Sequence, residues 1–145
     1  MTDTTETFEG GCDCRQVRYR MTSRPLIVHC CHCRWCQRAS GAAFALNAMI
    51  EADRVELLAG EPVPFMNPSE SGKGQKIWRC PSCAIAVWSN YAGGGDAMRF
   101  VRVGTLDEPD RLPPDAVAMP EYYDVRQHWS PTSLERGALL RAKKA

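Results

Sequence analysis

The stretch from Cys30 to Cys36, CCHCRWC in one-letter code, places four of the chain's eight cysteines within seven positions. The other four form two close pairs, Cys12 with Cys14 and Cys80 with Cys83. Thiols two or three positions apart on a tight turn can point into a common centre, as a tetrahedral zinc ion requires. Because no cysteine stands alone in the sequence, the spacing favours metal ligands over buried apolar cysteines or a disulfide framework.

Length and charge limit the classes of protein that need to be considered. A chain of 145 residues fits one domain, residues 1–145. Its 18 basic and 17 acidic side chains give a net charge of +1, which does not favour a nucleic-acid or membrane partner. The first eleven residues lack the pattern of a signal peptide, so we expect a cytoplasmic protein, where cysteines more often hold metals than form disulfides.

Counting ligands leaves two divisions of the cysteines, since a closed structural zinc site takes four protein ligands and a catalytic site commonly takes three. The first division has a closed site and an open site, and leaves Cys30 over: Cys12, Cys14, Cys80 and Cys83; then Cys31, Cys33 and Cys36. The second has two closed sites and predicts no chemistry: Cys33, Cys36, Cys80 and Cys83; then Cys12, Cys14 and either Cys30 or Cys31.

Strand geometry distinguishes Cys30 from its neighbour. If residues 26–31 form a strand, alternate side chains face opposite ways. His29, Cys31 and Cys33 then share one face, while Cys30 and His32 share the other. The alternation therefore favours Cys31 over Cys30 as a ligand.

The pattern around the cysteines is typical of a β protein. Residues 16–21 alternate polar and apolar, which predicts a strand with Val17, Tyr19 and Met21 facing inward. Further strands are predicted over residues 26–30, 44–50, 55–58, 75–79, 84–90 and 98–103. Proline and glycine predict a mobile loop over 61–74, and short helices are predicted over 34–40, ending at Gly41, and over 133–144.

Three motifs in order along the chain carry a resemblance to a known family. They are GGCDCRQVRY at 10–19, CHCRWCQRASG at 31–41 and WRCPSC at 78–83. Together they resemble the family of glutathione-dependent formaldehyde-activating enzymes and centromere protein V, over about residues 8–130, with 131–145 as a C-terminal tail. The resemblance implies a mostly-β, Mss4-like fold of coiled antiparallel β-sheets stapled by zinc.

The resemblance also implies an activity and two zinc ions per chain. The activity is that of a carbon–sulfur lyase resembling S-(hydroxymethyl)glutathione synthase, which acts on a thiol such as glutathione and a small aldehyde. The family's structural zinc falls on Cys12, Cys14, Cys80 and Cys83, and its catalytic zinc falls on Cys31, Cys33 and Cys36. The chain departs from the family at Ala84, where a glycine is usual.

Residues next to the open site are candidates for binding substrate. Three thiolates give a zinc centre a formal charge of −1, so capture of a soft thiol is favoured over polarisation of an aldehyde. His32 is a candidate proton carrier; the alternative is a group that supports the ligands or lies at the surface. Arg34 and Arg38 are candidates for binding a carboxylate of the thiol substrate, or else belong to a solvated helix face. The competing function is a zinc-stabilised binding module without catalysis.

Overall fold

The computed structural model describes residues 6–68, 72–91 and 94–112, together with the backbone of Val117–Ala118. The predicted helix over 133–144 and the tail over 131–145 lie outside the described residues.

Two β-sheets make up the described part of the chain. The small sheet has the order β1-β2-β5 and consists of β1 Phe8–Gly11, β2 Arg18–Met21 and β5 Val55–Ala59. The large sheet has the order β10-β3-β4-β9-β8-β7-β6. Its strands are β3 Ile27–Cys31, β4 Ala45–Glu51, β6 Val63–Asn67, β7 Gln75–Arg79, β8 Ala86–Tyr91, β9 Met98–Arg102 and β10 Val117–Ala118. All pairings are antiparallel except that of β10 with β3, so the expectation of a mostly-β fold of antiparallel sheets is confirmed.

The main core lies between the two sheets. Val17, Tyr19 and Met21 are fully buried there, which confirms the inward face predicted from alternation. Tyr19 meets Trp88 of the large sheet edge to face, with 5.7 Å between ring centroids. Burial of these side chains, at about 25 cal/mol per Å² of apolar surface, holds the small sheet against the large one.

One short helix, α1 Arg34–Ser40, follows β3. Gly41 ends it in the left-handed conformation, with φ of 68°, as predicted. Cys33 is the residue that caps its N-terminus. Among the described residues no helix is long and apolar enough to cross a membrane.

Two parts of the predicted secondary structure are wrong. Residues 61–74 do not form only a loop, because β6 lies within them and pairs with β7. Pro64 masks this strand in the sequence, yet an edge strand tolerates a residue without an N–H. Strand β1 was not predicted either, since its two glycines weaken the pattern. Gly10 is required there because a Cβ would come within 2.6 Å of the Tyr19 hydroxyl.

Candidate metal centres

The first cluster of thiols joins two turns that are distant in sequence. Cys12 and Cys14 follow β1, whereas Cys80 and Cys83 lie on the turn between β7 and β8. All four sulfur atoms lie within 4.8 Å of one another, and the Sγ of Cys14 is 3.5 Å from that of Cys12 and 3.6 Å from that of Cys80. Sulfur atoms around a tetrahedral zinc ion are about 3.8 Å apart, so this set fits zinc in number, element and spacing.

Two turns of different size position the pairs of cysteines in this four-thiol cluster, and each contains a residue in the left-handed conformation. Arg15 and Ala84, which directly follow Cys14 and Cys83, have φ of 64° and 63°. The N–H of Arg15 donates to the carbonyl of Cys12 at 3.1 Å, and the N–H of Ala84 donates to the carbonyl of Cys80 at 3.0 Å. A left-handed conformation is the one that glycine adopts without strain, which fits the glycine that the family resemblance implies at the position of Ala84.

Backbone N–H groups donate hydrogen bonds to sulfur atoms of this cluster, which favours the thiolates that a metal binds. The Sγ of Cys12 accepts from the N–H of Val17 at 3.3 Å, and the Sγ of Cys80 accepts from Ser82 at 3.4 Å. Hydrogen bonds from the N–H groups of Cys14 and Ile85 lower the pKa of Cys83 to about 6. Metal binding requires thiolates, so donors that stabilise a thiolate favour it.

The second cluster contains three thiols around the start of the helix. Cys31 ends β3, Cys33 caps α1 and Cys36 lies in its first turn; all three are buried. Their sulfur atoms lie within 4.8 Å of one another, and the Sγ of Cys33 accepts from the N–H of Cys36 at 3.4 Å. Within the described ranges no fourth His, Cys, Asp or Glu joins this group. The set fits a zinc ion that keeps one position for another ligand.

The electrostatics of the three-thiol cluster favour one thiolate. Hydrogen bonds from the thiols of Cys31 and Cys33 lower the pKa of Cys36 to about 3. The contact with Cys33 raises the pKa of Cys31, since neighbouring thiols share protons.

Cys30 belongs to neither cluster. Its Sγ lies 3.5 Å from Nε2 of His32, so these two side chains share a face of the strand, as alternation predicted. Burial raises the pKa of Cys30 to about 11. His32 is fully buried and packs against Phe44, with 5.4 Å between rings. The alternative that His32 is a surface group is therefore wrong, whereas its role as a proton carrier stays a prediction.

The predicted substrate contacts lie on the outer side of the helix. Arg34 is exposed and donates to Oε1 of Gln37 at 2.6 Å. Arg38 is also exposed and lies over the ring of Trp35, with 5.8 Å to the centroid. Neither arginine lines the cavity that adjoins Cys36. Their contact with substrate stays a prediction.

The cavity that adjoins Cys36 has a volume of about 380 Å³. One wall comes from α1 and β4, and the other comes from the turn that follows Cys83 and the end of β9. Two cations, Arg79 and Arg102, are among its lining residues, and no Asp or Glu is among those that the structure describes there. Such a cavity favours a ligand with negative charge.

Three residues near the three-thiol cluster were missed in the sequence, namely Tyr91, Arg102 and Asn47. The hydroxyl of Tyr91 lies 3.4 Å from the Sγ of Cys36, and Arg102 donates a hydrogen bond to Oδ1 of Asn47. Burial raises the pKa of Tyr91, so its hydroxyl stays protonated. Tyr91 and Arg102 come from strands distant in sequence, whereas Asn47 lies on β4, the element that follows α1. The only signal was polar residues in otherwise apolar strands.

A mostly-β chain that gathers seven of its cysteines into a four-thiol and a three-thiol centre belongs to the class of candidate zinc proteins. Comparison with known families narrows this class to one family. Residues 7–123 match the model of the glutathione-dependent formaldehyde-activating enzyme family, and the chain belongs to that family.

Two individual proteins are similar to this chain. A putative glutathione-dependent formaldehyde-activating enzyme of Halomonas elongata is 31% identical over 86 residues. That alignment covers 56% of this chain and 54% of the relative, so the chain matches about half of the relative's length. The crystal structure of a Rhodobacter sphaeroides protein has a TM-score of 0.53 at 17% identity, covering 77% of this chain and 99% of that one. This likeness supports the fold alone.

Proposed function

We propose that the protein is a zinc-dependent carbon–sulfur lyase that joins a glutathione-like thiol to a small aldehyde, as an S-(hydroxymethyl)glutathione synthase does. The observation that carries the proposal is the three-thiol cluster of Cys31, Cys33 and Cys36 with a cationic cavity beside it. Family membership and the name of the Halomonas relative support the same substrates.

The two clusters have different roles in this proposal. Cys12, Cys14, Cys80 and Cys83 would hold a structural zinc ion, since four thiols complete its coordination. Cys31, Cys33 and Cys36 would hold the second ion, which when bound supplies a position where a substrate thiol ionises at lower cost.

The chain's own residues then bind and orient the thiol. Arg79 and Arg102 lie around the cavity and can each bind a carboxylate through paired N–H donors. The Nη1 of Arg79 is fixed by a 2.9 Å hydrogen bond to the carbonyl of Ala84. Apolar side chains of Phe44, Leu46 and Ile85 line the same cavity and limit access of water to the reacting sulfur.

An exchange experiment tests this function directly. Carbon-13 formaldehyde and glutathione are mixed with catalytic amounts of the zinc-loaded protein, and NMR exchange spectroscopy measures the rate at which S-(hydroxymethyl)glutathione forms and dissociates. We expect wild type to accelerate the exchange and Cys33→Ser to abolish the acceleration. Cys30→Ala is the matched control, because it removes a buried thiol outside both clusters, and it should keep the wild-type rate.

The competing function gives a different result in the same experiment. A zinc-stabilised binding module would bind two zinc ions and leave the rate of exchange unchanged. Equal rates with and without wild-type protein would therefore reject the enzymatic proposal for this pair of substrates.

A further inference from the structure

A second cavity, which we call the tryptophan cavity after Trp78 and Trp88 in its wall, has no part in the reaction proposed above. Its volume is about 400 Å³, and most of its lining residues come from β5, β7, β8 and β9. Cavities of about 300–1,000 Å³ are the size that small-molecule ligands occupy. The tryptophan cavity is therefore large enough for a ligand of its own.

Strand alternation separates the tryptophan cavity from the cavity that adjoins Cys36. Arg99 and Arg102 both lie on β9, three positions apart, and line different cavities. Asn90 lines the tryptophan cavity, whereas the next residue, Tyr91, contacts Cys36. Since residues an odd number of positions apart on a strand face opposite sides, the two cavities lie on opposite faces of the large sheet.

Arg99 brings a positive charge to the tryptophan cavity without an acidic partner. Its guanidinium lies over the ring of Trp88, 4.5 Å from the centroid, and its Nη1 donates to the carbonyl of Val55 at 3.1 Å. Arg99 is half-buried, which lowers its pKa, and among the described residues no Asp or Glu forms an ion pair with it. Because a cation removed from water is unfavourable without a counter-ion, the cavity favours an anionic ligand.

The other charged side chains of the cavity leave Arg99 as its unpaired cation. The Nζ of Lys76 lies 3.4 Å from Oδ1 of Asp96, so these two charges neutralise each other. Glu61 also lines the cavity, but it is exposed and its carboxylate faces water. One anionic group on the ligand is therefore enough to balance the half-buried charge.

Trp78 forms an apolar wall of the cavity in a fixed orientation. Its Nε1 donates to Oδ1 of Asn90 at 2.6 Å, and the Nδ2 of Asn90 donates to the carbonyl of Met98 at 2.6 Å. The indole ring of Trp78 is only partly buried, and the neighbouring lining residue Leu57 is 45% exposed. Aromatic rings pack favourably on an indole, so the wall favours a ligand with a flat apolar body.

We propose that the tryptophan cavity binds a small aromatic carboxylate, whose ring packs against Trp78 and whose carboxylate accepts hydrogen bonds from Arg99. A guanidinium binds a carboxylate through two parallel N–H donors. With Nη1 engaged by Val55, the Nε and Nη2 groups of Arg99 remain as such a pair. The proposal does not depend on the thiol and aldehyde chemistry on the other face of the sheet.

A titration of the zinc-loaded protein with 2-naphthoate tests the site. The indole N–H signals in nitrogen-15 NMR spectra report binding, and Trp78→Phe and Trp88→Phe assign them. We expect the signals of Trp78 and Trp88 to shift and saturate with a dissociation constant of about 1 mM or below, while that of Trp35 stays in place.

Two related compounds separate the contributions of charge and ring. 2-Naphthamide has the same ring and no charge, and it should bind at least about tenfold more weakly, because the hydrogen bonds from Arg99 lose their charged acceptor. Acetate has the charge without the ring, and it should leave the signals of Trp78 and Trp88 unshifted at the same concentration. Both comparisons use wild type, so they do not depend on how well any variant folds.

Arg99→Gln should weaken binding of 2-naphthoate by about tenfold, since glutamine keeps an N–H donor for Val55 and removes the charge. Arg38→Gln is the matched control, because Arg38 also lies over a tryptophan ring but lines neither cavity. Arg38→Gln and Arg79→Gln should both bind 2-naphthoate as wild type does. A loss of affinity in Arg79→Gln would place the probe in the cavity that adjoins Cys36 and would reject the proposal.

The remaining outcomes also decide the matter. Equal affinity of wild type for 2-naphthoate and 2-naphthamide would show that Arg99 does not bind the carboxylate, and would overturn the inference. Glu61→Gln should bind 2-naphthoate at least as tightly as wild type, because it removes a negative charge from the cavity. Weaker binding by Glu61→Gln would contradict an anionic ligand.

Discussion

The hydroxyl of Tyr91 lies 3.4 Å from the Sγ of Cys36 and connects the end of β8 to the first turn of α1. The ring of Tyr91 packs edge to face on Phe100, with 4.7 Å between centroids, so the hydroxyl has a fixed position. Hydrogen bonds to a ligand from its surroundings tune metal affinity. The contact therefore leads to a first prediction about the three-thiol centre.

Tyr91→Phe should weaken zinc binding at the three-thiol cluster by about tenfold, because the Cys36 thiolate loses its hydroxyl donor while packing is kept. Competition with a chromophoric chelator measures the affinity of each site. Tyr19→Phe is the control, since it removes the 2.7 Å contact with Thr105 in the core. An equal effect of both substitutions on zinc affinity would contradict the role of Tyr91.

Cys31→Ala and Cys30→Ala should have opposite effects on metal content, although the residues are adjacent in sequence. Only Cys31 has its Sγ in the three-thiol cluster. We expect Cys31→Ala to lose one equivalent of zinc and Cys30→Ala to keep two. Elemental analysis of the purified variants measures this, and loss of zinc from Cys30→Ala would show that the grouping is wrong.

Ala84→Gly should stabilise the protein by about 1 kcal/mol, because Ala84 has φ of 63° and a side chain in this region is strained. Urea denaturation of the zinc-loaded protein measures the free energy of unfolding. Ala86→Gly, in β8, serves for comparison and should destabilise the protein, since glycine weakens a strand. A stability of Ala84→Gly below that of wild type would contradict the prediction.

Asp107→Asn should lower stability at neutral pH and have no effect in strong acid. Hydrogen bonds from Arg18, one of them 2.9 Å long, hold the pKa of the Asp107 carboxyl below its usual range. A depressed pKa contributes stability above the unfolded pKa of about 3.9, and this contribution is lost as the pH falls through the folded value.

The Asp107 side chain of this pair is 44% exposed, so the contribution of the pair should be less than about 1 kcal/mol. The measurement compares wild type with Asp107→Asn at each pH, since acid also removes zinc from both. The difference in unfolding free energy should be constant near neutrality, should begin to fall below about pH 4 and should disappear once the pH is below the folded pKa of Asp107. A difference that grows in acid would have the wrong sign.

Arg79→Gln should raise the KM for glutathione by about tenfold, because a hydrogen bond between charged groups contributes about 1.5 kcal/mol or more. Arg38→Gln removes an arginine that lies outside the cavity and should leave KM unchanged. The converse result would favour the helix arginines as the substrate contacts. 2-Mercaptoethanol, a neutral thiol without a carboxylate, should bind both variants and wild type equally.

Most of the strands and the helix could be predicted from the local pattern of the sequence. Alternation identified most strands to within two residues, including the buried side of β2, and Gly41 identified the end of the helix. Strand β6 was missed because Pro64 and the neighbouring prolines 62 and 68 are typical of a loop, and only the pairing with β7 defines it as an edge strand. Local propensity is overridden by such pairing.

The sequence by itself determined that the cysteines are grouped with the spacing of metal ligands and that Cys31, not Cys30, faces Cys33. Both conclusions depend on spacing along a short segment, where the period of a strand fixes direction. Spacing alone allowed Cys80 and Cys83 to join either Cys12 and Cys14 or Cys33 and Cys36.

Only the tertiary structure brings the turn after β1 beside the turn between β7 and β8, which unites the four-thiol cluster. It also brings Tyr91 of β8 to the Sγ of Cys36, and it places Arg102 of β9 at the cavity that adjoins Cys36. Contacts between residues so distant in sequence form because both sheets bury their apolar faces together. No local pattern encodes which polar side chains then come to lie beside one another.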